Sequence, residues 1–369
     1  MKVLHIAETA KGGVGTIINS LMEMDSIESS VLVPDTQCEM ILTGKKYLFN
    51  RTGRNAISLF KLALESYKLI KKNKPDVIHL HSTFSGMVVR FLYLIHILKK
   101  SDVTIVYTPH AFSFLMNVSE SRKKIYSIIE KVLTKVTDYI VCTSQYEMDT
   151  AILYGINNGK LKVIYNGVNI PIIDDSNLKE EYPLSENAEK IKILFLGRFD
   201  YQKGYDILLE LIKILDVNKF EFEIIGDSVT GEAFILNKTN VKYHGWLNHS
   251  QLEVFFKEAD FLVMPSRWES FGLVAVEAQS YGLPVLANNC SSLPEVIDNN
   301  NTGILLDFSN IKAVASFISI KDKTFWNSKR CACIKFVENT FLIEKMKLQY
   351  FSLYMNEFDY KEGRGSNGK

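Results

Sequence analysis

The chain reads as an α/β protein built from two Rossmann-like, doubly wound parallel-sheet domains, and three observations predict this. Its 369 residues suit two domains at roughly 100–200 residues each. Short runs rich in β-branched residues alternate with amphipathic stretches, and stretches of four to six apolar residues without alternation among them fit parallel strands covered on both faces. The alternation stops over 171–189 and then restarts, which divides the chain into an amino-terminal domain (1–170), a linker (171–189), a carboxy-terminal domain (190–340) and a terminal segment (341–369).

In the first domain the strand candidates are VLHIA (3–7), SVLVP (30–34), DVIHLH (76–81), VTIVYT (103–108), DYIVCT (138–143) and KVIYN (162–166). The clearest helix covers 55–72, where Leu59, Leu62, Tyr67 and Ile70 fall near helical spacing with charge on the other face. The most apolar stretch, 87–98, contains Arg90 and His96 and is shorter than the roughly 18–20 residues needed to cross a bilayer. The linker carries Pro171, Pro183 and many carboxylates with little periodicity. In the second domain KILFLG (192–197), EFEIIG (221–226), FLVMP (261–265), PVLAN (284–288) and GILLD (303–307) read as a parallel set, with helices near 204–216, 249–258, 271–281 and 309–319. An aromatic-rich helix is expected over 341–359, followed by a polar, disordered tail.

Composition narrows the class. The apolar fraction of 47% and charged fraction of 23% are those of a soluble globular protein and exclude disordered or fibrous chains. Five scattered cysteines without C-x-x-C spacing suit reduced thiols in the cytoplasm, and the short, charged amino terminus does not resemble a secretory signal. The net charge of +1 conceals an asymmetry: residues 1–170 carry net +7 and the rest net −6. Basic clusters at Lys45/Lys46, Lys71/Lys72/Lys74, Lys99/Lys100 and Arg122/Lys123/Lys124 suit an anionic partner such as a phospholipid surface or a pyrophosphate; solvated helix ends are the plainer alternative.

Ligands of open α/β sheets bind beyond the carboxyl ends of strands, and two such domains joined by a linker are expected to enclose a crevice. After the first strand comes Lys11-Gly12-Gly13-Val14-Gly15-Thr16, where glycines let backbone N–H groups approach an anion at a helix start. The spacing nears that of a P-loop ATPase, but the phosphate-reaching lysine is missing because Thr16 follows Gly15 directly; a tight structural turn is the other alternative. After strand 103–108 comes His110, placed to donate to a phosphate or a substrate hydroxyl. His79 and His81 are expected to alternate on their strand, so that only one shares a face with a given neighbour, and with no third ligand at suitable spacing a metal site there is not expected.

In the second domain Gly197-Arg198-Phe199-Asp200 and Lys203 put two cations into one loop at a strand end, as neutralising a diphosphate requires, with pairing to Asp200 as the structural alternative. The strongest signal is Ser266 to Glu277. Glu269 precedes a helix whose start (Ser270, Phe271, Gly272, Leu273) is expected to turn backbone N–H groups toward an anion, and Glu277 lies inside that helix among Val274, Ala275, Val276 and Ala278. A carboxylate in such company wants hydroxyl partners, and a sugar has several.

This pattern, Glu269 to Glu277 with S-F-G-L between, then Gly282-x-Pro284-Val285, Pro294-Glu295-Val296 and Gly303, resembles the retaining glycosyltransferases of family 4, which have the GT-B fold. Gly12-Gly13, His110 (counted after the fourth strand), Asn166-Gly167-Val168, Gly197-Arg198, Lys203 and Gly226 extend the resemblance over nearly the whole chain; the first loop departs from it in carrying G-G-V-G-T. The resemblance implies a hexosyltransferase moving a hexose or N-acetylhexosamine from a nucleotide-diphosphate sugar, UDP being the expected nucleotide, to a lipid-linked or free sugar acceptor in O-antigen or capsular polysaccharide synthesis. It implies that Arg198 and Lys203 grip the diphosphate, Glu277 the ribose, and Glu269 the transferred sugar. The amides of Phe271, Gly272 and Leu273 would orient sugar and phosphate beside Ser270 and Gly197. Gly12 and Gly13 would close on the diphosphate, and His110 would sit by the reacting carbon. No metal or cofactor is needed in this scheme, the terminal helix crosses back to the first domain, and nucleic acid is not an expected partner. The expected location is the cytoplasm, with a peripheral seat at the inner face of the plasma membrane. A nucleotide-sugar epimerase of the same fold and a non-catalytic sugar-binding module remain the alternatives.

Overall fold

In a computed structural model, residues 1–100, 102–171, 190–228, 231 and 234–357 are described. Almost all of the expected linker and the whole of the polar tail fall outside them. The chain forms two compact units, Met1–Gly167 with Ile343–Lys369, and Val168–Leu342.

The first unit runs β1 (Lys2–Ala7), α1 (Gly13–Met22), β2 (Glu28–Pro34), β3 (Lys45–Phe49), α2 (Ala56–Asn73), β4 (Val77–His81), α3 (Thr83–Leu94), β5 (Thr104–Thr108), α4 (Glu120–Leu133), β6 (Tyr139–Cys142), α5 (Gln145–Leu153) and β7 (Leu161–Val163). The strands form one parallel sheet in the order β3-β2-β1-β4-β5-β6-β7, so the winding direction reverses between β1 and β4. Its central strands are apolar because helices cover both faces: Leu4, Ile6, Ile78, Leu80 and Ile105 pack into one core, Val3, Val77, Val106 and Val141 into another.

The second unit runs β8 (Ile191–Leu196), α6 (Tyr205–Ile214), β9 (Phe220–Ile225), β10 (Val241–Tyr243), α7 (His249–Glu258), β11 (Phe261–Met264), α8 (Leu273–Ser280), β12 (Val285–Asn288), α9 (Leu293–Val296), β13 (Gly303–Leu306), α10 (Ile311–Ser319), α11 (Lys323–Asn327) and α12 (Arg330–Thr340). Its six parallel strands lie in the order β10-β9-β8-β11-β12-β13, reversing between β8 and β11. Its core includes Phe220, Phe222 and Phe261, the last stacked on Trp326 at 4.0 Å. The last helix, α13 (Ile343–Tyr354), packs Met346, Tyr350 and Leu353 onto the first unit beside Val3, Ile17 and Leu21.

Two strands are absent from the sequence reading, β3 and β10. Each is an outer strand of its sheet, paired on one side only, and KKYLF and VKY accordingly lack the continuous apolar run of a covered strand. His110 therefore follows the fifth strand rather than the fourth. The apolar helix begins earlier than expected, at Thr83, and ends at Leu94.

Candidate functional site

In the second unit the site forms where the winding reverses. The loops after β8 and β11, adjacent strands, carry Gly197–Lys203 and Ser266–Gly272. Lys203 Nζ donates to Glu269 Oε1 at 2.6 Å, and Ser266 Oγ donates to the same oxygen at 2.8 Å. Glu269 is buried and its backbone carbonyl accepts from Ser292 Oγ. Arg198 lies on the rim, donating to Gln202 Oε1 (2.6 Å) and ion-paired with Asp200 at 3.1 Å. Its side chain is 42% exposed, so an anion can reach it by displacing one weakly held carboxylate.

The two loops are stitched together by residues that motif reading passed over. Arg267 donates its backbone N–H to Gln202 O (2.8 Å), grips Asp206 through two bonds of 2.7 and 2.6 Å, and lies over the Tyr201 ring. Gln202 Nε2 donates to Trp268 O. At the start of α6, Gly204 has φ +68°, and a Cβ there would lie 2.1 Å from Pro265 O. Only glycine lets the Lys203 backbone pass so close to the end of β11.

Glu277 sits one turn into α8, half-buried, with no hydrogen-bond partner for its carboxylate among the described residues. Burial pushes its carboxyl up to about 7, and the positive charge of Lys203 works against that shift. Phe271 turns its ring inward against Phe341, while Gly272 caps α8, whose first N–H groups have no partner within the helix. Leu273 is the first residue of α8, and Ser270 lies two residues before the capping Gly272.

In the first unit the glycine loop after β1 opens α1. Gly12 has φ +63°, and its carbonyl accepts from Gly15 N and Thr16 N; Gly13 is the first helical residue. Gln37 braces the loop, its Oε1 accepting from Ala10 N at 2.7 Å.

His110 follows β5 on a backbone held at φ +51°, with Ala111 at +106°, a costly conformation for residues with a Cβ. The loop is held by Glu147 of α5, which no motif announced. One carboxylate oxygen accepts from Ala111 N (3.0 Å) and Phe112 N (3.2 Å), the other from Thr143 N and Thr143 Oγ1. Burial pushes this carboxyl up to about 7 despite the four donors.

The expectation for the histidines is corrected. His79 and His81, two residues apart on β4, share one face, their rings 3.9 Å apart, because side chains at i and i+2 of a strand point the same way. A third imidazole joins them: pairing of β1 with β4 sets His5 opposite His79, and nitrogens of His5, His79 and His81 all lie within 4.8 Å of one another. The spacing in sequence hides this, since His5 and His81 are 76 residues apart. His79 spends both nitrogens on hydroxyls, Tyr354 (2.6 Å) and Thr108 (2.8 Å). All three are fully buried and held neutral by burial.

Among the described residues no helix is long and apolar enough to cross a membrane. On α4, however, Ile125, Ile128, Ile129 and Val132 are exposed beside exposed Arg122, Lys124 and Lys131.

Comparison with known proteins matches each half of the chain to a family: residues 27–170 to Glycosyltransferase Family 4 and residues 178–320 to Glycosyl transferases group 1. A Klebsiella pneumoniae protein described as an uncharacterized 41.2 kDa protein in cps region is 48% identical over 96% of this chain and 99% of its own length. The Escherichia coli UDP-Gal:alpha-D-GlcNAc-diphosphoundecaprenol alpha-1,3-galactosyltransferase is 27% identical over 80% of each chain. Among solved structures, Anabaena HepE in complex with UDP-glucose superposes with a TM-score of 0.77 at 17% identity, covering 96% of this chain and all of that one. With both halves matched and both sheets parallel and doubly wound, the chain belongs to the GT-B glycosyltransferases, of the polysaccharide type.

Proposed function

We propose that the protein is a retaining hexosyltransferase that moves a hexose or N-acetylhexosamine from a UDP-sugar to a lipid-linked sugar acceptor in capsular or O-antigen polysaccharide synthesis. The observation that carries this reading is the Lys203–Glu269 pair at the reversal point between β8 and β11, with Arg198 on the rim and the α8 amino terminus beside it. That arrangement offers positive charge for a diphosphate and a buried carboxylate for sugar hydroxyls in one small region. The Escherichia coli relative is named for UDP-Gal and a diphosphoundecaprenol acceptor, the Klebsiella relative for a cps region, and the Anabaena structure for UDP-glucose; these names favour the same chemistry.

In this reading Arg198 and Lys203, with the Gly272 and Leu273 amides, neutralise the diphosphate and the charge that grows on the leaving phosphate, without a divalent ion. Lys203 is shared: before donor binding it neutralises Glu269, and with donor bound it turns to phosphate oxygen while Glu269 accepts from sugar hydroxyls. Glu277 accepts from the ribose diol. The bond from the anomeric carbon to phosphate oxygen breaks, the acceptor oxygen forms its bond on the same face, and its proton passes to the leaving phosphate. His110 contributes a donor to the transferred sugar, and Gly12 and Gly13 present backbone N–H groups to phosphate.

The acceptor side draws on the first unit. Its net charge of +7 over 1–170 and the exposed isoleucines and lysines of α4 suit an anionic bilayer surface, where a lipid-linked acceptor resides. Flotation with vesicles containing anionic lipid should carry the protein at low salt, lose it at 1 M salt, and lose it in Ile128→Glu. No flotation at any salt would remove the membrane from the account. For the reaction itself, transfer of labelled sugar from UDP-sugars into an extractable lipid-linked product tests the proposal, and NMR of the product's anomeric proton reads retention. Interconversion of donors with no acceptor present would indicate an epimerase instead.

A further inference from the structure

His5, His81 and His110 form a chain of hydrogen bonds running from the centre of the first sheet to the loop after β5. His5 Nδ1 lies 3.0 Å from His81 Nε2, and His81 Nδ1 lies 3.1 Å from His110 Nε2. His5 Nε2, at the inner end, is buried with no partner among the described residues. At the outer end His110 keeps Nδ1, and its residue is half-buried. His79, its ring tilted against that of His81, stands outside the chain because both its nitrogens are taken by hydroxyls; this also argues against reading the cluster as a metal site.

A neutral imidazole has one N–H and one bare nitrogen. Two such rings joined by one N···N bond must therefore agree on its direction, and three rings in a row share a single direction. Two states satisfy this. In the outward state every ring carries its proton on Nδ1: His5 donates to His81, His81 to His110, and His110 offers Nδ1–H to whatever binds. In the inward state every ring carries it on Nε2, His110 offers a lone pair, and the buried His5 Nε2–H has nothing to donate to. Orphaned buried N–H groups are rarer in proteins than under-satisfied acceptors, which selects the outward state.

We propose that His5 and His81 are positioning residues that fix His110 as an Nδ1–H hydrogen-bond donor, so that it meets substrate as a donor to oxygen and not as a base. Burial keeps all three rings neutral, His5 at about 3 and His110 at about 4, so the chain does not gain a proton near neutral pH. The inference rests on the glycosyltransferase reading only for what the donated proton meets, a sugar or phosphate oxygen.

The test is the two-bond 1H–15N spectrum of histidine-labelled protein without substrate, which distinguishes the two tautomers of each ring. Wild type should show His5, His81 and His110 all protonated on Nδ1. His81→Phe removes the donor to His110 Nε2 and frees that ring, so the His110 signals should move to averaged tautomer values. His81→Asn, whose amide can sit where Nδ1–H sat, should keep them near wild type. Transfer assays should follow, with kcat about 10–100-fold lower in His81→Phe, donor KM little changed, and His81→Asn largely restored. A His110 protonated on Nε2 in wild type, mixed tautomers along the chain, or shifts of His5 and His79 on adding one equivalent of Zn2+ would each overturn the proposal. The wild-type spectrum decides even if a variant fails to fold, and it requires no turnover. A single shared tautomer in a protein that transfers no sugar would refute the proposed function while leaving the chain intact.

Discussion

Glu277 offers a sharp test because its environment sets stability against binding. The carboxyl is half-buried on α8 with no hydrogen-bond partner among the described residues, and burial raises it from 4.5 to about 7. A carboxyl whose folded value lies above its unfolded one favours folding most when protonated. The native state is thus unpenalised below pH 4.5, loses stability as pH rises from 4.5 to 7, and bears the full cost above 7. At 1.36 kcal/mol per pH unit the shift corresponds to about 3 kcal/mol, reduced to about 2 kcal/mol because solvent reaches part of the group. Glu277→Gln keeps the shape and removes the charge. At pH 8 the variant should be more stable by about 2 kcal/mol, and at pH 4.5 the two should be equal. All three tryptophans, Trp246, Trp268 and Trp326, lie in the second unit, so urea unfolding followed by tryptophan fluorescence reads that unit alone. The midpoint should rise by roughly 0.8 M at pH 8 for a slope near 2.5 kcal/mol per M. UDP binding should meanwhile weaken by about 10–100-fold, as expected for losing a charged acceptor to a diol. A variant that loses stability at pH 8, or gains equally at both pH values, or binds UDP as tightly as wild type, would refute this reasoning.

Three other perturbations probe the two units separately. Lys203→Met removes the cation beside Glu269, and turnover should fall about 10²–10³-fold with the fold intact by circular dichroism; a fall under tenfold would count against its role at the diphosphate. Gly204→Ala sets a Cβ against Pro265 O and should displace Lys203, lowering both the urea midpoint and donor affinity, whereas Gly159→Ala in the first unit, whose Cβ would meet only Asn157 Oδ1 at 3.4 Å, should leave donor affinity unchanged. In the first unit the fully buried Arg90 pairs with Glu130 at 2.8 Å and lies 3.7 Å from the Tyr107 ring; Glu130→Ala should cost about 3–5 kcal/mol in urea unfolding followed by circular dichroism, because it strands a buried cation.

What the sequence reveals of this protein follows from where its strands lie. Strands covered on both faces, such as Tyr139–Cys142 and Phe261–Met264, are apolar runs, and the glycines and polar side chains just beyond such strands stand out; that makes Gly12, His110, Arg198, Lys203 and Glu269 legible in order. The outer strands β3 and β10 escape because one side is unpaired and their side chains are partly polar. The partnerships within the sites escape for a different reason. Lys203 meets Glu269 across 66 residues, and His5 meets His81 across 76, through the order of strands in the sheet, which local periodicity does not encode. Glu147 is the instructive case: in sequence it is the third residue after the helix-capping Ser144, an ordinary helix start, and only the folded chain brings its carboxylate under the loop that carries His110.

In the proposed reaction the second unit grips a nucleotide sugar through Arg198, Lys203, Glu269 and Glu277 for transfer to an acceptor. Nucleoside diphosphate release from a panel of UDP-, GDP- and ADP-sugars, with and without a lipid-diphosphate sugar acceptor, tests it most directly in wild type, Glu269→Ala and Arg198→Ala. The account predicts acceptor-dependent release from one donor, a UDP-sugar, lost in both variants. If UDP binds but no donor is consumed with any acceptor, or if release persists undiminished in Glu269→Ala, the site does not do what is claimed for it.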